Sequence, residues 1–375
     1  MKMRFIVLSL VACSYHSRFT ATDAFSTTSF TSPTLSSSKK TKAYATNLKM
    51  SDIAIQEKTS FLRMPEQLTN TNNNNIKNDD ETEKNEIPSL GTIAKMLPRE
   101  SFDIDTKTSL FYFGVDFVAC VASLGFLDLV VTSDFYHSLP IVAQALTVAP
   151  LQILSGFALW CMWCIGHDSG HGTVSRKNWI NDVVGEISHS IFCLTPFIPW
   201  KKSHLKHHLN HNHLTRDYSH QWFIREEADD LHPIFKFSHK TRNLQLPILY
   251  LVYLLFGVPD GGHVFFYGRM WEDEPMKEKI RGALSVAISM TTALSLWMTM
   301  GTADFAVVIF APWLVLSFWL FMVTYLQHHS DDGVLYTDDT WSFTKGAFQT
   351  VDRDYGKWIN RMSHHMVRSI CFYRN

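Results

Sequence analysis

Fourteen of the eighteen histidines lie between His167 and His329, and two groups of them have metal-ligand spacing. The first is His167-Asp168-Ser169-Gly170-His171-Gly172, with histidines at i and i+4. The second is Ser203-His204-Leu205-Lys206-His207-His208, with histidines at i, i+3 and i+4. On a helix such residues face one way, so each cluster can offer its imidazoles to one metal ion. Imidazole-rich sites suit iron, copper or zinc, and five ligands in two clusters favour two ions over one. A zinc protease requires H-E-x-x-H; Asp168 stands at the Glu position. The Asp260-Gly261 pair an intramembrane protease would also need leaves His204, His207 and His208 unexplained. A carboxylate di-iron bundle needs two Glu-x-x-His pairs, and Glu186-Ile187-Ser188-His189 has no second.

Membrane helices must position these clusters. The chain of 375 residues has a net charge of -1, which gives no reason to expect nucleic acid or an acidic partner, and it is 46% hydrophobic and 13% aromatic. Ser109 to Val131, Leu139 to Ile165, Arg281 to Met300 and Phe305 to Leu326 are apolar runs long enough to cross a hydrocarbon core of about 30 Å. Two short loops without Lys or Arg join them in pairs, whereas the segment from Gly166 to Asn243 carries Arg176, Lys177, Lys201, Lys202, Lys206 and Arg216. The positive-inside rule puts that segment on the cytosolic or stromal side. Leu244 to Val258, shortened and broken by Pro247, reads as interfacial, as does Ser190 to Trp200. The expected fold is therefore an all-α membrane protein. Four transmembrane helices form two hairpins beneath a helical cap that carries both clusters. Cys161 and Cys164 read as buried hydrophobes, and Asp116, inside the first span, receives no role.

The N-terminal third is polar. Residues 1–25 have a charged start at Lys2 and Arg4 and a short apolar core, as in a signal peptide. Residues 26–95 join a Ser/Thr-rich, transit-like stretch to a polar spacer expected to be disordered. The joint at Ala24-Phe25 resembles the cleavage motif of bipartite presequences in algae with secondary plastids. Plastid routing is favoured over an ordinary signal peptide with a linker. Residues 96–375 form the remaining domain.

With His167 to Ser175 (HDSGHGTVS), Gly185 to His208, Asn210 to Phe223 (NHNHLTRDYSHQWF), Tyr325-Leu326-Gln327-His328 and Thr350 to Gly356 (TVDRDYG), the chain resembles the histidine-box, di-iron acyl-lipid fatty acid desaturases of plants and algae. The likeness covers roughly residues 97–367 and is nearer the ω-3 (Δ15) than the Δ12 group. It implies oxygen-dependent desaturation of lipid-linked acyl chains. Two iron ions and O2 would be used, with electrons from ferredoxin in a plastid or cytochrome b5 in the endoplasmic reticulum. It also implies His167, His171, His204, His207, His208 and His328 as metal ligands. Asp168, Asp217 and Asp352 are candidate supports, His189, His211, His213 and His220 are supporting or surface residues, and His329 fills the polar position next to His328. A sister hydroxylase or conjugase uses the same boxes. The likeness stops after Asn360 to Val367 (NRMSHHMV), and Ile370 stands where a third-box histidine is expected. His364 and His365 are thus read as the prelude to a box the chain does not reach. The implied cause is an artefact of gene assembly, such as an unspliced intron, or an inactive paralogue.

Overall fold

The computed structural model describes residues 88–220, 250–257, 260–330 and 332–365. The signal-like segment, the transit-like and spacer residues up to 87, residues 221–249 with the first part of Leu244 to Val258, Val258 itself, and residues from 366 on, with Ile370, lie outside them. Residues 250–256 are helical.

Among the described residues four helical runs are long and apolar enough to cross a membrane, as the hydropathy pattern predicts. The first, α1 (Thr106–Val131), starts where the Asp105 carboxylate accepts from the backbone N–H of Lys107 and Thr108, satisfying two donors left open at a helix start. The second, α2 (Ile141–His171), has 31 residues. At 1.5 Å per residue it is about 46 Å long, more than the roughly 30 Å hydrocarbon core. Its apolar part ends near Ile165, so the last turns, with His167 and His171, project beyond the core. Gly172, at φ 79°, ends the helix in a left-handed cap that few other residues adopt at so little cost.

On the cap side α3 (Asn178–Gly185) runs into a π-helical stretch, Glu186–Phe192, and α4 (Phe197–Leu209) follows. The last two spans are α5 (Met276–Met300) and the run Thr302–His328, whose main part is α6 (Ala311–His328). A π-helical stretch, Ala306–Phe310, precedes Pro312, whose ring would meet a backbone carbonyl in a regular helix. Gln152 on α2 donates its side-chain N–H to the Val307 carbonyl in this stretch at 3.0 Å.

The central helix is α2, which packs against both α1 and α6. Its contact with α6 is close at Gly156, where a Cβ would lie 2.4 Å from Val315 Cβ and 2.6 Å from the Pro312 carbonyl oxygen. Cys120, Cys161, Cys164 and Cys193 are free and buried, as packed hydrophobes should be.

The segment Ser190 to Trp200 departs from the interfacial reading. Ser190, Cys193, Thr195, Phe197 and Trp200 are buried, enclosed by protein. Cys193 reaches back to the Leu159 carbonyl on α2, 3.6 Å away, and its own carbonyl accepts from Trp313 Nε1 of α6 at 2.9 Å. Buried polar side chains make this possible: Ser190 Oγ donates to Glu186 and accepts from the Phe197 N–H, and Ser285 of α5 caps the Ile198 N–H. The segment is a hairpin wedged between spans, with Leu194 at φ 49° at its tip. Ion pairs then tie the cap to α5, through Arg281–Asp182 and Lys202–Glu278, while Lys201–Asp182 joins α4 to α3.

Candidate metal centre

The ends of three helices build the site. His167 and His171 occupy the last turns of α2, His204, His207 and His208 lie on α4, and His328 is the final residue of α6. All six residues implied as ligands by the sequence resemblance thus come together.

They form two pockets. In the first, His167, His171, His204 and His208 converge through Nε2. Successive nitrogen separations are 3.2 Å for His167–His171, 3.1 Å for His171–His204 and 3.0 Å for His204–His208. Nitrogen atoms each about 2.1 Å from one ion and 90–110° apart sit roughly 3.0–3.4 Å from one another. The donor set therefore fits a single transition-metal ion. Lone pairs crowded this closely repel unless a cation or proton lies between them. In the second pocket His207, His211 and His328 lie together, Asp217 and His220 group with His207, and the His220 ring also lies 4.8 Å from that of His328.

The acids set the imidazole tautomers. Asp168 lies 3.1 Å from His167 Nδ1 and Asp217 2.8 Å from His207 Nδ1. In each pair the ring donates its Nδ1 proton to the carboxylate and leaves an Nε2 lone pair for metal, the usual support of a ligand histidine. Asp352, the third proposed support, is exposed. Burial pushes His207 and His220 down to about 3 and His211 to about 4, so these rings are neutral at physiological pH. Burial and neighbouring imidazoles hold His204 and His208 well below the usual histidine range. Burial also raises Asp217 to about 6.

The remaining histidines separate by contact. His189 is buried, stacks on Trp163 with ring centroids 3.9 Å apart, and donates Nε2–H to the Trp163 carbonyl. Glu186 meets Ser190 and Ser285, so the Glu186-x-x-His189 spacing joins no metal-binding group among the described residues. His213 pairs with Asp338, and His329 stacks on Tyr325. His364 reaches Asp116 of α1 at 2.6 Å. Sequence reasoning passed over His263, which is fully buried, lies 2.8 Å from Ser203 Oγ beneath α4, and belongs to no spaced motif.

Aromatic rings wall the first pocket. Trp200 stacks on His204 at 4.6 Å and meets Trp163 edge-on at 5.2 Å. Such packing fixes the rotamers of these histidine rings and keeps water from that side.

A family model described as fatty acid desaturase matches residues 143–368. Among curated proteins, the Delta(12) fatty acid desaturase fat-2 of Caenorhabditis elegans is 29% identical over 303 residues, covering 79% of this chain and 76% of that protein. The endoplasmic reticulum omega-3 fatty acid desaturase of Vigna radiata var. radiata is 31% identical over 285 residues, 73% of this chain and 70% of its own length. The sn-1 acyl-lipid omega-3 desaturase (ferredoxin) of Nostoc sp. (strain 36) is 26% identical over 316 residues, 80% and 82% respectively.

Proposed function

The chain belongs to the fatty acid desaturase family, and from that premise we propose that it desaturates lipid-linked fatty acyl chains, at the ω-3/Δ15 or Δ12 position, with two histidine-bound irons. The convergence of four Nε2 atoms at 3.0–3.2 Å carries the reading. His167, His171, His204 and His208 would hold one iron, and His207 and His328 the other. An aliphatic C–H bond offers neither an acidic proton nor an electrophilic carbon, so side-chain acids, bases and nucleophiles cannot break it. Bound iron, with O2 and two external electrons, supplies the oxidising power.

The protein's own residues do the positioning. Asp168 and Asp217 hold the Nδ1 protons of His167 and His207 and aim both Nε2 lone pairs inward. Burial keeps the His207 ring neutral and able to ligate. Trp163 and Trp200 exclude water from one wall. The four spans place this cap against the bilayer that supplies the acyl substrate.

Plastid routing, supported by the signal- and transit-like N-terminus, goes with ferredoxin as electron donor. An endoplasmic reticulum location would go with cytochrome b5, and relatives of both kinds are known by name. The test is expression of the chain in a host lacking ω-3 and Δ12 desaturases, with lipid chromatography and iron analysis of the purified protein. A new double bond and two irons per chain support the proposal. Iron-loaded protein with a hydroxylated product, or with none, refutes desaturation. Protein without iron refutes the metal assignment.

A further inference from the structure

Three hydrogen bonds in the second pocket fix the protons of three histidines. Nδ1 of His211 lies 2.7 Å from the Gly346 carbonyl oxygen. A carbonyl only accepts, so His211 carries its proton on Nδ1 and its Nε2 is an acceptor. That Nε2 makes a short contact with Nδ1 of His328, which must therefore be the protonated nitrogen of His328. The other nitrogen of His328, Nε2, is left with a lone pair. It faces Nε2 of His207 at 3.5 Å, whose lone pair is freed in the same way by Asp217. A chain from Gly346 through His211 to His328 thus mirrors the chain from Asp217 to His207, and both end in lone pairs aimed at one point.

The anchor is built closely. A Cβ on Gly346 would lie 2.2 Å from the His211 carbonyl oxygen, so only glycine lets the backbone approach this far. Trp341 Nε1 donates to that same carbonyl at 3.0 Å, so the Trp341–Gly346 segment grips His211 by backbone and ring together. His207, His211 and His328 are all buried, and water does not compete for these bonds.

We infer that His211 is a positioning residue for the second metal, a relay that sets the tautomer of His328 from the Gly346 carbonyl and does not itself ligate. The inference rests on the di-iron reading above for its metal and on hydrogen bonding alone for its tautomer. Two measurements on the full chain separate these. In iron-free protein labelled with 15N-histidine, the protonated Nδ1 of His328, assigned by its loss in His328→Gln, should be present in the native chain. It should disappear in His211→Leu and persist in His211→Gln, whose amide can donate to Gly346 and accept from His328. In iron-loaded protein, His211→Leu should weaken the more weakly held iron by about 10- to 100-fold, the usual effect of removing such a support, and His211→Gln should recover most of it. Cobalt-loaded His211→Cys should lack a thiolate-to-metal absorption band. A protonated Nε2 on His328, native iron affinity in His211→Leu, or a thiolate band in His211→Cys would each overturn the inference. A native chain that binds no iron would defeat the di-iron reading, while the tautomer is still decided by the nitrogen spectra.

Discussion

Asp116 of the first span accepts a hydrogen bond from Nε2 of His364 at 2.6 Å, across 248 positions of sequence. Next to it, Trp160 of α2 donates to Ser363 Oγ at 3.0 Å. The segment after α6 is thereby held against α1 and α2. Replacing Asp116 with Leu leaves the His364 nitrogen without its acceptor in a largely enclosed position. The expected cost is about 2 kcal/mol, as for a buried hydrogen bond with a charged group. The double variant Asp116→Leu/His364→Leu should recover most of it, because two apolar side chains leave nothing unsatisfied. Thermal unfolding in detergent across the four-member cycle measures this; an Asp116→Leu protein as stable as the native one would dismiss the contact as incidental.

Asp217 and Asp168 each support one pocket, so their removal should separate the two proposed metal sites. Asp217→Ala removes the acceptor of His207 Nδ1–H and should weaken iron in the second pocket by about 10- to 100-fold, leaving the first nearly unchanged. Asp168→Ala should do the reverse. Chelator titration with metal analysis distinguishes the pockets. Equal loss from both pockets in either variant would argue against independent support.

The α2–α6 contact should not tolerate a larger side chain at Gly156. A Cβ there would meet Val315 at 2.4 Å and the Pro312 carbonyl at 2.6 Å. Gly156→Val should therefore destabilise the bundle by about 2–3 kcal/mol, the scale of core overpacking. Adding Val315→Ala should recover only part of this, since alanine keeps the Cβ that lies at 2.4 Å and the Pro312 carbonyl belongs to the backbone. A lowered melting temperature for the single variant and partial return for the double is the expected pattern. Full recovery would mean that the Val315 γ-methyl groups were the whole obstacle.

What was legible in the sequence follows from what is local. Four spans and two histidine clusters rest on hydropathy and on i, i+3 and i+4 spacing, which a single stretch of chain displays. His328 was reachable only through the resemblance of Tyr325-Leu326-Gln327-His328 to the family. The support of His211 by Gly346 was not, since these residues lie 135 positions apart and are joined only by folding. His263 carries no spacing signal at all. Ser190 to Trp200 was misjudged for a different reason. Its two prolines and mixed polarity suit a surface helix, yet Ser190, Glu186 and Ser285 satisfy one another inside the bundle. Glu186 itself is pushed above the usual carboxylate range by burial.

The buried imidazoles make the metal-free protein acid-sensitive, and the sign can be worked out. His207 and His220 stay neutral in the fold down to about pH 3, His211 and His263 to about 4, whereas each takes up a proton near 6.5 once unfolded. Between those values the unfolded chain binds more protons than the folded one. Stability is therefore full above pH 6.5 and falls as pH is lowered, by about 1.4 kcal/mol per unit for each such group. Asp217 acts in the opposite sense. Its carboxyl, raised to about 6, takes up a proton in the fold before it does when unfolded, which favours the fold slightly as pH falls from 6 towards 4. One carboxyl does not offset four histidines. Iron-free protein in detergent should accordingly show a melting temperature that drops steeply from pH 6.5 to 4.5. Iron-loaded protein should hold its melting temperature further into acid, because metal and proton compete for the same nitrogen atoms. A flat profile for the iron-free protein would mean that these rings are already protonated in the fold, which would contradict the neutral, lone-pair-bearing pockets described above.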